Sequence, residues 1–149
     1  MSKSLSFITG GTGYIGAEVV YQALEAGHRV RLSIRRPEQA AILKDRYSQY
    51  ASEIETVVIP DISQRAPFET ALADVDAIIH IASPLPGAGK DLKKDFIKPA
   101  LDGTESVLYA ALKFPKIKTV VITSSGIALV PITTHMEVKN VLKGNNNPH

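Results

Sequence analysis

Three glycines at intervals of three residues are the first feature of this sequence that can do chemistry. They lie in the segment TGGTGYIG, which follows a short apolar run and precedes a run with helical spacing. In such a turn the first glycine permits the tight bend, the second lets the backbone approach a pyrophosphate, and the third lets the helix pack closely on the strand. Free N–H groups at the helix start then favour anionic phosphates. The strand–turn–helix context predicts a dinucleotide site rather than a plain glycine-rich turn, with the ligand against Gly10, Thr12, Gly13, Tyr14, Ile15 and Gly16.

A pair of arginines stands where the adenosine ribose of such a ligand is recognised. When the ligand is NAD, an acidic residue about 20 positions beyond the glycines accepts a hydrogen bond from the ribose 2′-hydroxyl. Here that region reads SIRRP and carries Arg35 and Arg36. Guanidinium groups bind phosphate through charge-assisted, bidentate hydrogen bonds. The pair therefore favours NADP, with Arg35 on the 2′-phosphate and Arg36 sharing it or stacking on adenine; the alternative is two solvated arginines, as we expect for Lys44.

Asp61 and Ile62 directly follow a third apolar run and have two interpretations. The Asp61 carboxylate can accept a hydrogen bond from the adenine amino group while Ile62 packs on the ring, or Asp61 can be the N-cap of the next helix. His80 falls within a fourth apolar run, where we expect a core or sheet-end histidine. The other histidines are isolated and the sequence has no cysteine, so no metal site is predicted.

All these residues follow strands in a regular alternation of strands and helices. Apolar runs predict strands at residues 5–9, 29–34, 54–59, 76–82 and 118–123. Helical spacing and breakers predict helices at residues 14–26, 37–50, 66–73 and 91–113, with Pro99 as a kink or restart of the last one. The alternation implies an α/β fold, a doubly wound parallel sheet of about five strands with helices on both faces. Ligands of such sheets bind at the carboxyl ends of the strands, where the candidate residues fall.

Composition limits the alternatives. The 149 residues suit one domain, and 44% hydrophobic with 21% charged residues is ordinary globular composition. The net charge of +2 gives no reason to expect a nucleic-acid or membrane partner. No signal-peptide pattern and no apolar run of about 20 residues is present. Together with the lack of cysteine, these features make a cytoplasmic location our expectation.

Five motifs in order resemble the extended short-chain dehydrogenase/reductase family, the epimerase/dehydratase-like group. They are TGGTGYIG at 9–16, DI at 61–62, HIASP at 80–84, DGT at 102–104 and TSS at 123–125. The Arg35 position, HIASP and IKPALDGT at 97–104 look most like the branch of dihydroflavonol, cinnamoyl-CoA and fungal ketone or aldehyde reductases. The resemblance implies a seven-stranded Rossmann fold, NADP(H), and reduction of a small-molecule carbonyl or oxidation of the corresponding alcohol.

The same resemblance assigns roles at two further places. Ala82, Ser83 and Pro84 would lie beside the ribose and nicotinamide, and Ser125 would be the catalytic serine that hydrogen-bonds the substrate oxygen. Ser124 is its rival if the register differs by one, and strand-end capping is the alternative for either serine.

The family's catalytic tyrosine and lysine are missing from this sequence. A Tyr-x-x-x-Lys pair is expected about 35 to 40 residues after the serine, where the tyrosine gives a proton to the carbonyl oxygen. No tyrosine follows Tyr109. Tyr109 and Lys113 have the spacing, but they precede the serine strand within a helix whose neighbours form a packing face, so we reject them. We therefore expect residues 1–149 to be a dinucleotide-binding Rossmann domain that is incomplete at its C-terminus.

Incompleteness has a physical consequence and leaves other functions open. An uncovered sheet edge and an unpartnered helix at 91–113 predict a homodimer or self-association. A non-catalytic NADP-binding module or sensor needs only the glycine turn and the arginines. An NAD-dependent epimerase or dehydratase is the third hypothesis, against which Arg35 and the HIASP segment argue.

Overall fold

A single parallel sheet of five strands organises the chain. In the computed structural model, which describes residues 3–83, 91 and 93–125, the strands are β1 (Leu5–Thr9), β2 (Arg29–Ile34), β3 (Ile54–Val58), β4 (Ala77–His80) and β5 (Thr119–Ile122). Their order across the sheet is β3-β2-β1-β4-β5, and every pair is parallel. The chain therefore winds outward from β1 in both directions, and the predicted α/β doubly wound fold is confirmed.

Helices connect the strands and cover both faces of the sheet. They are α1 (Tyr14–Glu25), α2 (Gln39–Arg46), α3 (Arg65–Ala71) and α4 (Lys98–Ala111), with a 3₁₀ helix at Ser48–Glu53 and a π-helical turn at Lys93–Ile97. Parallel neighbours require such crossovers, because the chain must return to the start of the sheet before each new strand.

The central strand β1 shows why both faces are covered. Phe7 points to one face and packs edge-on against Phe68 of α3, with ring centroids 6.0 Å apart, in a cluster that includes Val107 of α4. Ile8 points to the other face, in a cluster with Val20 of α1 and Leu43 of α2. Both side chains of β1 are fully buried. A strand that is buried on both faces reads as a continuous apolar run, as predicted for LSFIT.

The predicted elements are present, and two boundaries needed correction. The helix predicted at 37–50 ends at Arg46, because Tyr47 leaves helical geometry (φ −112°, ψ 41°) and buries its ring while its hydroxyl donates to the Ala17 carbonyl at 3.0 Å. The helix predicted at 91–113 is the π-helical turn followed by α4, with Pro99 in the first turn of α4. A proline is tolerated there because its missing N–H has no helical acceptor, so the predicted restart is confirmed.

The strand register brings the carboxyl ends to one edge of the sheet. Thr9 pairs with His80, and His80 pairs in turn with Ile122. On the other side, Ile34 pairs with Val58. The loops after all five strands therefore emerge side by side, and the candidate residues are on these loops. Among the residues described, no helix is long and apolar enough to cross a membrane.

The far edge of the sheet is exposed. All four residues of β5 are accessible, and α4 exposes Leu101, Tyr109 and Leu112 on the same side of the molecule as a cavity of about 460 Å³ lined by Leu112 and Val120. Self-association through this edge and helix stays a prediction.

Candidate functional site

The turn after β1 has the geometry expected of a phosphate-binding loop. Gly10 adopts a left-handed φ of +73°, which favours glycine. Its carbonyl accepts the N–H of Gly13 at 3.0 Å, and the Gly13 carbonyl accepts the N–H of Ala17 at 2.8 Å. The chain therefore reverses between Gly10 and Gly13 and enters α1 directly.

Two of the three glycines are required by close contacts within this turn. A Cβ added to Gly16 would lie 2.0 Å from the Gly10 carbonyl oxygen, and one added to Gly10 would lie 2.8 Å from the backbone nitrogen of Ala82. Both obstacles are backbone atoms, which cannot rotate away. The sequence analysis expected the third glycine to serve helix–strand packing; the contact is with the turn itself.

The first turn of α1 presents backbone donors. The first helical hydrogen bond is donated by Ala17, so the N–H groups of Tyr14, Ile15 and Gly16 precede the ladder, and within the described part of the chain they have no hydrogen-bond acceptor. Tyr14 is 96% exposed, and the first turn has no acidic residue. Together with the positive end of the helix dipole, these donors form an anion site.

One groove of about 740 Å³ joins the turn to most of the other predicted residues. Among the predicted residues, it is lined by Gly10, Thr12, Gly13, Tyr14, Ile15, Gly16, Arg35, Arg36, Ile62, Ala82 and Ser83. It is also lined by five residues that sequence reasoning missed: Ser33, Ile34, Gln39, Ile59 and Ile81. Four of these missed residues lie at or beside strand ends, so the alternation of elements was a usable signal for them. Pro84 lies outside the described residues.

Gln39 organises the arginine pair. Its side-chain oxygen accepts the backbone N–H groups of Arg35 and Arg36 at 2.9 and 3.0 Å. The Arg36 guanidinium is 3.4 Å from the Glu38 carboxylate. The Arg35 guanidinium has neither a hydrogen bond nor an ion pair with any other residue that the structure describes, so of the two it is the uncommitted cation at the groove.

Asp61 caps its own loop. One carboxylate oxygen accepts the N–H and the hydroxyl of Ser63 at 2.9 and 2.8 Å, and the other lies 3.3 Å from the side-chain nitrogen of Gln64. These hydrogen bonds, the Ser63 hydroxyl first, lower the pKa of Asp61. The N-cap position of α3 belongs to Gln64 rather than Asp61. With Arg35 and Ile62, Asp61 lines a side cavity of about 360 Å³ next to the groove, and a carboxylate has further lone pairs for an adenine amino group.

His80 is buried between β1 and the end of β4, as expected. Its side chain is only 3% exposed, its Nδ1 is 2.9 Å from the Thr9 hydroxyl, and burial lowers its pKa. Nothing places it in the groove lining. Among the described residues, no group of histidines and carboxylates could hold a metal ion.

Ser125 lies at the same edge of the sheet but not in the groove wall. It is exposed and follows Ile122 by three residues, as Ser83 follows His80, the register partner of Ile122. Ser124 is equally exposed, so the register does not separate the two. Tyr109 lies elsewhere: its ring is half exposed, with the Arg65 guanidinium 5.8 Å from its centroid, and it lines the cavity between α4 and β5.

Comparison with known proteins gives a consistent group of relatives. Residues 7–148 match the 3-beta hydroxysteroid dehydrogenase/isomerase family. Ketoreductase sphI of Aspergillus fumigatus is 36% identical over 132 residues, which are 89% of this chain and 38% of the relative. The NAD-dependent epimerase/dehydratase ALT6 of Alternaria alternata is 36% identical over 136 residues, 86% of this chain and 38% of that protein.

A solved structure extends the likeness to three dimensions. Yeast methylglyoxal/isovaleraldehyde reductase Gre2, complexed with NADPH, superposes with a TM-score of 0.74 at 28% sequence identity, covering 81% of this chain and 37% of its own. The chain thus spans less than half the length of the relatives that it matches.

Proposed function

The chain belongs to the 3-beta hydroxysteroid dehydrogenase/isomerase family, and from this membership we propose that its groove binds NADP(H) for the reduction of a carbonyl group on a small molecule. The resemblance inferred from the sequence motifs is confirmed by this family and by the ketoreductase relative. The cofactor, the reaction and the substrate class are our proposals for this chain.

One observation carries the proposal: a single groove contains both the donors at the start of α1 and the uncommitted Arg35 guanidinium. A dinucleotide phosphate has a pyrophosphate in the middle and a 2′-phosphate on its adenosine ribose. The backbone N–H groups of Tyr14, Ile15 and Gly16 suit the first, because they are rigid and precede the helical ladder. The fork of donors on Arg35 suits the second.

Arg35 also favours NADP over NAD. Among the described residues that line the groove, none is acidic, whereas NAD recognition uses a carboxylate on the ribose 2′-hydroxyl. The NADPH complex of the yeast reductase supports this choice. The relative named as an NAD-dependent epimerase/dehydratase keeps the NAD alternative in the test.

Residues of this chain divide the cofactor between them in the proposed complex. Gly10, Gly13 and Gly16 let the backbone approach the pyrophosphate, and Asp61 with Ile62 meets adenine. Bound NADPH supplies a hydride to the substrate carbonyl. Ala82 and Ser83, at the end of β4, line the part of the groove assigned to the nicotinamide ribose.

Ser125 is the proposed hydrogen-bonding partner of the substrate oxygen. The proton donor of the reaction is not assigned to any residue, because no tyrosine follows Tyr109 in this sequence. For the 149 residues studied, the activity proposed is therefore cofactor binding, and a non-catalytic NADP-binding module is the second candidate. Turnover of aldehydes with NADPH, lost in Ser125→Ala, would exclude that second candidate.

Calorimetric titration of the full chain tests the cofactor proposal. We expect saturable binding of NADPH at one site, weaker binding of NADH, and displacement of NADPH by 2′,5′-ADP, which carries the adenine and both phosphates. Equal affinity for NADPH and NADH would contradict the choice of NADP, and no binding of either would overturn the proposed function.

A further inference from the structure

The loop between β3 and α3 forms the wall at the adenine end of the groove. Ile62 lines both the main groove and the side cavity, whereas Asp61 lines the side cavity only. Asp61 and Ser63 hydrogen-bond each other within the loop. These local bonds give the loop its shape, but they do not set its position relative to the sheet.

A hydrogen bond from α4 holds the loop at its centre. The Ser106 hydroxyl donates to the backbone carbonyl of Ser63 at 2.6 Å, across 43 residues of sequence. Ser106 is 7% exposed, although it is a polar residue in the middle of a helix. A buried hydroxyl is retained at such a position when it satisfies a specific partner, and here that partner is the loop backbone.

A second contact from α4, one turn earlier, involves a glycine. A Cβ added to Gly103 would lie 3.0 Å from Cδ1 and 3.2 Å from Cγ1 of Ile62. Gly103 is buried in the interior of α4, where glycine lowers helix stability relative to alanine. The absence of a side chain there lets Ile62 lie directly against the helix backbone.

We propose that Gly103 and Ser106 are positioning residues for the adenine end of the bound dinucleotide. Together they fix the Asp61–Ser63 loop, so that Ile62 stays at the groove wall and the Asp61 carboxylate stays beside it. Neither residue lines the groove or the side cavity, so their effect on the ligand passes through the loop. This inference rests on the proposed binding of NADP(H).

The proposal predicts an effect confined to ligands that carry adenine. The full chain and its variants are titrated with 2′,5′-ADP well below their unfolding midpoints, so that only folded protein is measured. We expect Ser106→Ala and Gly103→Ala each to weaken 2′,5′-ADP by about five- to tenfold, the loss of one buried contact at the wall. A purely structural role would lower the unfolding midpoint and leave this dissociation constant unchanged.

Thr104→Ala is the matched control on the same helix. The Thr104 hydroxyl donates to the Ala100 carbonyl within α4 itself at 3.0 Å and does not touch the loop. This variant also removes a helix hydroxyl with its hydrogen bond to a backbone carbonyl, and we expect its 2′,5′-ADP affinity to stay within twofold of the wild type.

A double substitution isolates the contact between Gly103 and Ile62. Valine at position 62 lacks the Cδ1 atom that an alanine at 103 would meet first. The penalty of Gly103→Ala should therefore shrink to less than twofold in an Ile62→Val background. Equal penalties in both backgrounds, or wild-type affinity in Ser106→Ala and Gly103→Ala, overturn this inference alone. Failure of the wild-type chain to bind either NADPH or 2′,5′-ADP overturns the proposed function and this inference with it.

Discussion

The hydroxyl oxygen of Thr9 lies 2.9 Å from Nδ1 of His80 while it accepts the backbone N–H groups of Ile81 and Ala82, both at 3.1 Å. Two accepted bonds use both lone pairs of a hydroxyl, so its own hydrogen is left for His80. The geometry therefore assigns His80 as the neutral imidazole with its proton on Nε2. A proton on Nδ1 would face the Thr9 hydrogen directly.

The first prediction concerns pH. Burial lowers the pKa of His80 in the folded state below the ordinary value of 6.5, so on acidification the unfolded chain takes up this proton first. The free energy of unfolding should therefore fall as the pH drops below about 6.5, with a slope of at most about 1.4 kcal/mol per pH unit from this residue. Urea unfolding at a series of pH values between 5 and 8 measures the slope.

His80→Asn is the informative variant, because its side-chain oxygen can accept the Thr9 hydrogen bond but does not titrate. We expect this variant to lose part of the acid-induced slope. His28→Asn makes the same change at an exposed histidine and should keep the wild-type pH dependence; identical slopes in the two variants would argue against our assignment of His80.

The second prediction concerns the Thr9 hydroxyl. Thr9→Val keeps the shape of the side chain but leaves two N–H groups and the His80 nitrogen without their partner. Unsatisfied buried groups cost about 1–3 kcal/mol each when no water reaches them, so we expect a total loss of about 2–4 kcal/mol in the free energy of unfolding. Thr9→Ser retains the hydroxyl and should lose much less. Chemical denaturation of both variants makes the comparison, and a valine variant as stable as the serine variant would refute the role of the hydroxyl.

The third prediction separates two glycines. Gly16→Ala places a Cβ 2.0 Å from the Gly10 carbonyl oxygen, so the turn must open; we expect a loss of about 3 kcal/mol or more and no measurable NADPH binding. Gly27→Ala meets nothing within 4 Å and is strained only by its φ of +83°, at a cost of about 1–2 kcal/mol. Since Gly27 is remote from the groove lining, this variant should bind NADPH like the wild type. Thermal unfolding together with NADPH titration tests both expectations.

The fourth prediction concerns cofactor choice. Arg35→Ala should weaken NADPH by about 10- to 100-fold, which corresponds to charge-assisted hydrogen bonds worth about 1.5–3 kcal/mol, and should barely affect NADH. Arg36→Ala removes a neighbouring guanidinium that already faces Glu38, so its effect should be several times smaller. Calorimetric titration with both cofactors gives the four ratios. Equal losses for NADPH and NADH in Arg35→Ala would exclude the 2′-phosphate as its partner.

The elements and the glycine turn could be predicted because their signals are local. The apolar run LSFIT, the spacing of Gly10, Gly13 and Gly16, and the arginines after β2 all lie within short segments whose geometry follows from their own residues. The boundary at Tyr47 was missed because a contact with Ala17, 30 residues earlier, ends the helix. Tertiary contacts of this kind override local propensity.

The supports of the site were invisible for the same reason. Ser106 reads as an ordinary helix residue until its distance to Ser63 is known, and the role of Gln39 depends on a side-chain oxygen reaching two backbone N–H groups. The motif DGT at 102–104 supported the family resemblance, but its physical reason, the room that Gly103 leaves for Ile62, needed three dimensions.

The position of β1 at the centre of the sheet also has a consequence for how the chain folds. β1 reaches β2 across a short connection, with Leu5 opposite Arg29, but it reaches β4 only with Ser6 opposite Ala77. Closing the longer loop costs more chain entropy, and contacts between distant parts of the sequence slow folding. The β1–β2–β3 half can therefore assemble first, and the arrival of β4 beside β1, which brings Ala82 against Gly10, is the later and slower step that completes the groove.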